Sequence, residues 1–182
     1  MLSIPNMFTF SRIALIPFFV LVFYVPGPYS NYAAAIIFLI AALTDWIDGF
    51  LARKLQQTSK FGAFLDPVAD KLLVACALVL IAVEFRNFWI TIPAIVIVCR
   101  EIAVSALREW MAEVGQRTRV KVSVWGKIKT VFQLVAVIIL ISQPPDWNIP
   151  LVWLGVFLMY SAVLLTIWSM VEYLRAALVT LR

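Results

Sequence analysis

The sequence contains no histidine. That removes the usual general base at neutral pH, together with most zinc, haem and copper sites. Cysteine is scarce: Cys76 and Cys99 sit inside apolar runs at no metal-like spacing. They are read as small core residues, not as a disulfide or a ligand pair. Charged residues make up only 14% of the chain, against 64% apolar. No Ser/Gly-rich or acidic linker divides it, and no internal repeat or low-complexity tract is present. Residues 1–182 are therefore expected to form one domain. The opening segment MLSIPNMFTFSRIALIPFFV lacks the Lys/Arg-led start and small-residue cleavage site of a signal peptide, and is expected to be retained.

What the chain has in quantity is long apolar sequence. Runs close to the roughly 20 residues needed to cross a bilayer occur near 6–25, 31–53, 62–84, 88–112, 121–142 and 150–174. Breakers separate them, PGPYSN at 26–31 and QPPDWN at 143–148 being the strongest. The expected fold class is all-α, a polytopic membrane protein with six transmembrane helices. An even number of spans puts both termini on one side. That side carries Arg12, Arg53, Lys54, Lys60, Arg117, Arg119, Lys121, Lys127, Lys129, Arg175 and Arg182, whereas the opposite loops carry only Arg86. Positive charge marks the cytoplasmic face, so both termini are expected there. The net charge of +5 then reads as attraction to anionic headgroups and anionic substrates. No nucleic-acid partner is expected, because the basic residues are tied to helix ends. Most of the tryptophans, Trp89, Trp147 and Trp153 among them, read as interfacial anchors.

Against this background four aspartates stand out in TDWIDGFLARKLQQTSKFGAFLDPVADK, residues 44–71. A carboxylate at a membrane helix centre costs about 2.5–3.5 kcal/mol on insertion scales. Asp45 and Asp48 are three apart near the end of the second expected helix. Asp66 and Asp70 are four apart near the start of the third. Both spacings put side chains on one helical face, so an antiparallel pair could aim all four at one spot. Unneutralised, they would repel one another strongly. An all-oxygen set without His or Cys suits hard cations: Mg²⁺, Mn²⁺ or Ca²⁺. Gly49, Ala52, Gly62, Ala63 and Ala69 lie among the acids and would allow close approach of helices and ligand. Arg53 follows, where a guanidinium can clamp a phosphate. Two metals and a basic clamp suit displacement at phosphorus. The bland alternative is a salt-bridged helix end involving Arg53, Lys54, Lys60 and Lys71. A cation channel or carrier is a further alternative, although a carrier would place its carboxylates nearer mid-membrane.

Written out, the segment is Asp45-x2-Asp48-Gly49-x2-Ala52-Arg53-x8-Gly62-x3-Asp66-x3-Asp70. It resembles the motif of the CDP-alcohol phosphotransferases at all eight fixed positions. The segments IPNMFTFSRI, REIAVSALREWMAE and GKIKT are similar to bacterial members of that family. The resemblance implies that Asp45, Asp48, Asp66 and Asp70 hold two divalent cations, Mg²⁺ or Mn²⁺, and that Asp70 also takes the acceptor's proton. It implies that Gly49, Arg53 and Ser59 contact the cytidine diphosphate of a CDP-diacylglycerol donor. Asn6 and Thr9 match a further family element facing the nucleotide, with helix capping as the alternative. A homodimer in the bacterial cytoplasmic (inner) membrane, with its active site toward the cytoplasm, is implied as well. The chemistry agrees: an alcohol needs a carboxylate to accept its proton, and an aspartate is the available base here.

The motif leaves the alcohol open. Arg100 and Arg108, eight apart on the fourth helix, share a face, and Lys127 and Lys129 open the fifth. Such a cationic pocket suits a phosphorylated acceptor, sn-glycerol 3-phosphate, better than neutral inositol or zwitterionic serine. Arg100 and Glu101, adjacent in sequence, are expected to diverge, while Arg108 could pair with Glu101 or Glu109. Arg117, Arg119 and Lys121 are read as facing headgroups. The competing enzymatic readings are a family member using phosphatidylglycerol as acceptor, which would form cardiolipin, and an intramembrane prenyltransferase.

Overall fold

The computed structural model describes residues 4–55, 60–113 and 124–180. Among them every regular element is helical: α1 (Ile4–Tyr24), α2 (Ser30–Leu55), α3 (Lys60–Phe85), α4 (Phe88–Glu113), α5 (Val124–Ser142) and α6 (Pro150–Thr180). The helices fall on the six apolar runs, and local chemistry explains the turns between them. Val25–Tyr29, rich in Pro and Gly, ends α1, and the Ser30 hydroxyl donates to the Gly27 carbonyl at 2.9 Å as α2 begins. Only two residues join α3 to α4. Arg86 adopts a left-handed conformation, φ 45°, which reverses the chain at a helix C-terminus. Asn87 then caps α4 by accepting from the Trp89 amide at 2.9 Å. Before α6, the Asp146 carboxylate accepts from the Asn148 amide at 2.9 Å, and Pro150 starts the helix, where a missing N–H does no harm.

α5 and α6 pack along most of their length, α6 also touches α4, and α1 lies against α2 and α3. The core between them is apolar, with Phe19, Phe38, Leu73, Ile81, Ile97 and Leu140 fully enclosed. Gly155 of α6 lies close against α5. A Cβ there would sit 2.8 Å from Leu140 Cγ and 3.1 Å from Ile139 Cγ2. Because Leu140 is itself enclosed, it cannot swing away. Gly155→Ala is expected to lower stability by about 1–3 kcal/mol through overpacking, read as a lower melting temperature in detergent. An unchanged melting temperature would show that α5 yields.

The outside of the bundle is apolar too. Leu21, Ile102, Phe157, Leu164 and Trp168 are all well exposed, a pattern that suits lipid contact and not water. Among the described residues, Phe88–Met111 and Pro150–Val171 are long and apolar enough to cross a membrane, at mean hydropathies of 2.0 and 2.1. Ser11–Tyr24, Ser30–Thr44 and Ile128–Ser142 are apolar over shorter lengths. Cys76 and Cys99 are both free thiols. Cys99 corrects the expectation of a core residue: it is exposed, one position before the buried face of α4 at Arg100.

Candidate active site

The odd helices start, and the even helices finish, at the same end of the bundle. Aromatic and polar contacts pin the other end. Phe85 meets Trp147 edge-on at 6.0 Å, the Trp153 indole donates to the Trp147 carbonyl at 2.9 Å, and the Asn31 amide reaches the Gln143 carbonyl at 3.1 Å. Toward the first end the core changes character. The buried polar side chains among the described residues, Arg12, Arg100, Lys129, Gln133, Thr166 and Ser169, all lie from mid-depth toward it.

The helix registers carry the aspartates to the same end. The buried stripe of α2 runs through Ala34, Phe38 and Ala41. Continued at the same three-and-four spacing, it reaches positions 45 and 48. On α3 the enclosed residues Ile81, Ala77, Leu73 and Ala69 lead back toward position 66. Asp70 borders that stripe: Ala69 is wholly enclosed, whereas Asp70 is exposed and engaged in a polar contact. α2 and α3 touch, and the four positions fall toward the end of the one and the start of the other. The side chains of Asp45, Asp48 and Asp66 lie outside the described residues. No cluster of three or more metal-ligating side chains is therefore assembled among the described ones. The donor set nonetheless fits a hard divalent cation. By composition alone, four carboxylates and no nitrogen or sulfur donor match what such an ion takes.

Of the residues expected to meet the donor, Asn6 and Thr9 lie on α1 and Gly49 and Arg53 on α2, with side chains outside the described residues. Ser59, Arg117, Arg119 and Lys121 lie outside the described residues altogether. α1 supplies a residue that sequence reasoning had counted only as a topology signal. Arg12 is 1% exposed, three positions beyond Thr9 and on the inward stripe that continues through Phe19 and Phe23.

The expected acceptor residues are partly assembled. Arg100 and Lys129 come together, from α4 and α5, on a third residue, Glu101. Arg100 Nη1 donates to Glu101 Oε1 at 2.7 Å, and Lys129 Nζ donates to the same oxygen at 3.0 Å. The expectation that Arg100 and Glu101 diverge is corrected. Neighbours on a helix do leave it about 100° apart, but two long side chains bridge that angle readily. Arg100 Nη2 also donates to Ser169 Oγ on α6 at 2.7 Å. Arg108 lies on α4 and Lys127 on α5, with side chains outside the described residues. Glu101 and Ser169 escaped sequence reasoning. A lone serine in an apolar helix carries no signal, and Glu101 reads from the sequence only as a possible partner of Arg108.

Comparison with known proteins identifies the family. The family model described as CDP-alcohol phosphatidyltransferase matches residues 2–168, and the chain belongs to that family. It is 53% identical over 175 residues to the CDP-diacylglycerol–glycerol-3-phosphate 3-phosphatidyltransferase of Escherichia coli (strain K12), covering 96% of this chain and 94% of that protein. The protein of the same name from Shigella flexneri is matched at the same identity and coverage.

Proposed function

We propose that this chain transfers a phosphatidyl group from CDP-diacylglycerol to sn-glycerol 3-phosphate, giving phosphatidylglycerophosphate and CMP. The observation that carries this is near-full-length similarity to relatives bearing that reaction's name, in a chain that keeps the whole aspartate motif. The acceptor hydroxyl oxygen attacks the phosphorus attached to diacylglycerol. The bond from that phosphorus to the bridging oxygen breaks, and the oxygen leaves with CMP. Asp70 takes the hydroxyl proton, a role open to an exposed carboxylate at the polar end of the bundle. Two divalent cations, Mg²⁺ or Mn²⁺, held by Asp45, Asp48, Asp66 and Asp70, would offset the charge of the diphosphate and of the leaving CMP. Asn6, Thr9, Gly49, Arg53 and Ser59 hold the cytidine diphosphate. Arg100, Arg108, Lys127 and Lys129 receive the acceptor phosphate, for which two buried cations that converge from α4 and α5 are suited.

On this reading residues 1–182 are a single domain, all six helices span the bacterial inner membrane, and both termini and the site face the cytoplasm. The apolar exterior supports a lipid environment, and the basic residues at the aspartate end support the orientation. The donor's acyl chains then stay in the bilayer throughout, and two copies associate as a homodimer. The test is transfer of label. Purified protein given labelled glycerol 3-phosphate, CDP-diacylglycerol and Mg²⁺ is expected to move label into organic-extractable lipid, and chelation should stop it. Label that stays in the aqueous phase would sink the proposal.

A further inference from the structure

Glu101 is not among the residues proposed to touch either substrate, yet the acceptor's cations are organised around it. One of its two carboxylate oxygens, Oε1, accepts from Arg100 Nη1 at 2.7 Å and from Lys129 Nζ at 3.0 Å. The arrangement continues into α6. Ser169 Oγ accepts from Arg100 Nη2 at 2.7 Å and donates on to the Thr166 carbonyl at 3.0 Å. Three helices are thus tied together through one short polar chain. The side chains of Arg100 and Lys129 are 5% and 9% exposed, and that of Glu101 is 28% exposed.

Two cations this deep, converging on one atom, would repel each other without an anion between them. Both are also long and flexible, so an unbridged pair would spread over many rotamers. The Glu101 carboxylate removes both problems, but it cancels only one of the two charges. A phosphate that reaches the pair then meets two cations already held in one place, and loses less of its binding to ordering them. We propose that Glu101 is a positioning residue for the acceptor phosphate. It locks Arg100 of α4 to Lys129 of α5, so that one phosphate meets both in a fixed geometry. This rests on the reading above that Arg100 and Lys129 receive the acceptor.

A purely electrostatic account predicts the opposite sign. Removing a carboxylate makes the pocket more positive, which by itself would tighten anion binding. Glu101→Gln separates the two accounts, because it keeps the shape and removes the charge. Full-length enzyme in lipid–detergent micelles should show a glycerol 3-phosphate KM raised about tenfold, with the CDP-diacylglycerol KM unchanged. Lys129→Met should raise the same KM. The double variant should fall short of the sum of the two single effects, since part of what Glu101 does passes through that lysine. A glycerol 3-phosphate KM that stays level or falls in Glu101→Gln overturns the proposal, as does strict additivity in the double variant. If Lys129→Met raises the acceptor KM while Glu101→Gln does not, positioning alone fails. If Lys129→Met leaves that KM unchanged, the acceptor reading fails and takes the proposal with it. Should Glu101→Gln not fold, Glu101→Asp keeps the charge but withdraws the oxygen by one methylene. It is then expected to raise the acceptor KM selectively, and an unchanged value overturns the proposal.

Discussion

Asparagine in place of Asp70 is expected to lower turnover by about three orders of magnitude, the usual scale for losing a general base. The variant is informative because Asp45, Asp48 and Asp66 remain to hold the cations while the base is lost. Asn matches Asp in size and keeps one carbonyl oxygen, but it cannot take a proton from the acceptor hydroxyl. The backbone beneath it should hold, since Ala69 and Leu73 anchor this part of α3 in the core and Asp70 itself is exposed. Donor affinity, followed by CDP-diacylglycerol binding with Mg²⁺ present, should therefore remain close to that of the unaltered enzyme. The absence of histidine from the chain sharpens the expectation, because no imidazole stands by to take over. Near-normal turnover in Asp70→Asn would remove Asp70 as the base. Loss of donor binding along with turnover would make it chiefly a metal ligand.

The second large effect is expected at Arg108. The enclosed residues of α4, Ile90, Ala94, Ile97, Arg100, Val104 and Met111, define one inward stripe. Position 108 falls between the last two at helical spacing, two turns beyond Arg100. Removing an arginine that meets a desolvated phosphate weakens binding by roughly thirtyfold or more. Arg108→Ala should raise the glycerol 3-phosphate KM on that scale and leave the CDP-diacylglycerol KM nearly unchanged. Arg108→Lys should recover the binding only in part, because an ammonium cannot form the planar two-pronged contact of a guanidinium. Equal effects on both substrates would place Arg108 away from the acceptor. Arg100→Ala is a less clean test, since it also strips Glu101 and Ser169 of a partner and so disturbs the joint between α4 and α6.

The helices were readable in the sequence because the signals that delimit them are local. The run at 88–112 became Phe88–Glu113, bounded by an Asn cap that acts within two residues of itself. At its far end α6 continues to Thr180, past the 174 expected. Nothing in YLRAALVT breaks a helix, so the polar residues that end an apolar run need not end the helical backbone. The aspartate motif is local in the same sense: its spacing along each helix puts each pair of positions on one face. What stayed hidden depends on distance in the fold. That Ser169 would receive Arg100 requires α4 and α6 to be neighbours, and no spacing rule joins residues so far apart. The burial of Arg12 was not legible because a basic residue near a helix start looks the same whether it faces headgroups or the interior. Glu101 was misjudged because helical wheels describe Cβ directions, whereas its contact is made several bonds further out.

The central claim is that the aspartate end of this bundle performs phosphatidyl transfer to glycerol 3-phosphate. The most direct measurement is CMP release by the purified full-length protein, supplied with CDP-diacylglycerol and Mg²⁺ or Mn²⁺. Glycerol 3-phosphate, phosphatidylglycerol, inositol and serine would be offered singly as acceptors. CMP is expected with glycerol 3-phosphate and not with the other three. No CMP with any acceptor, or release with phosphatidylglycerol but not with glycerol 3-phosphate, would contradict the account.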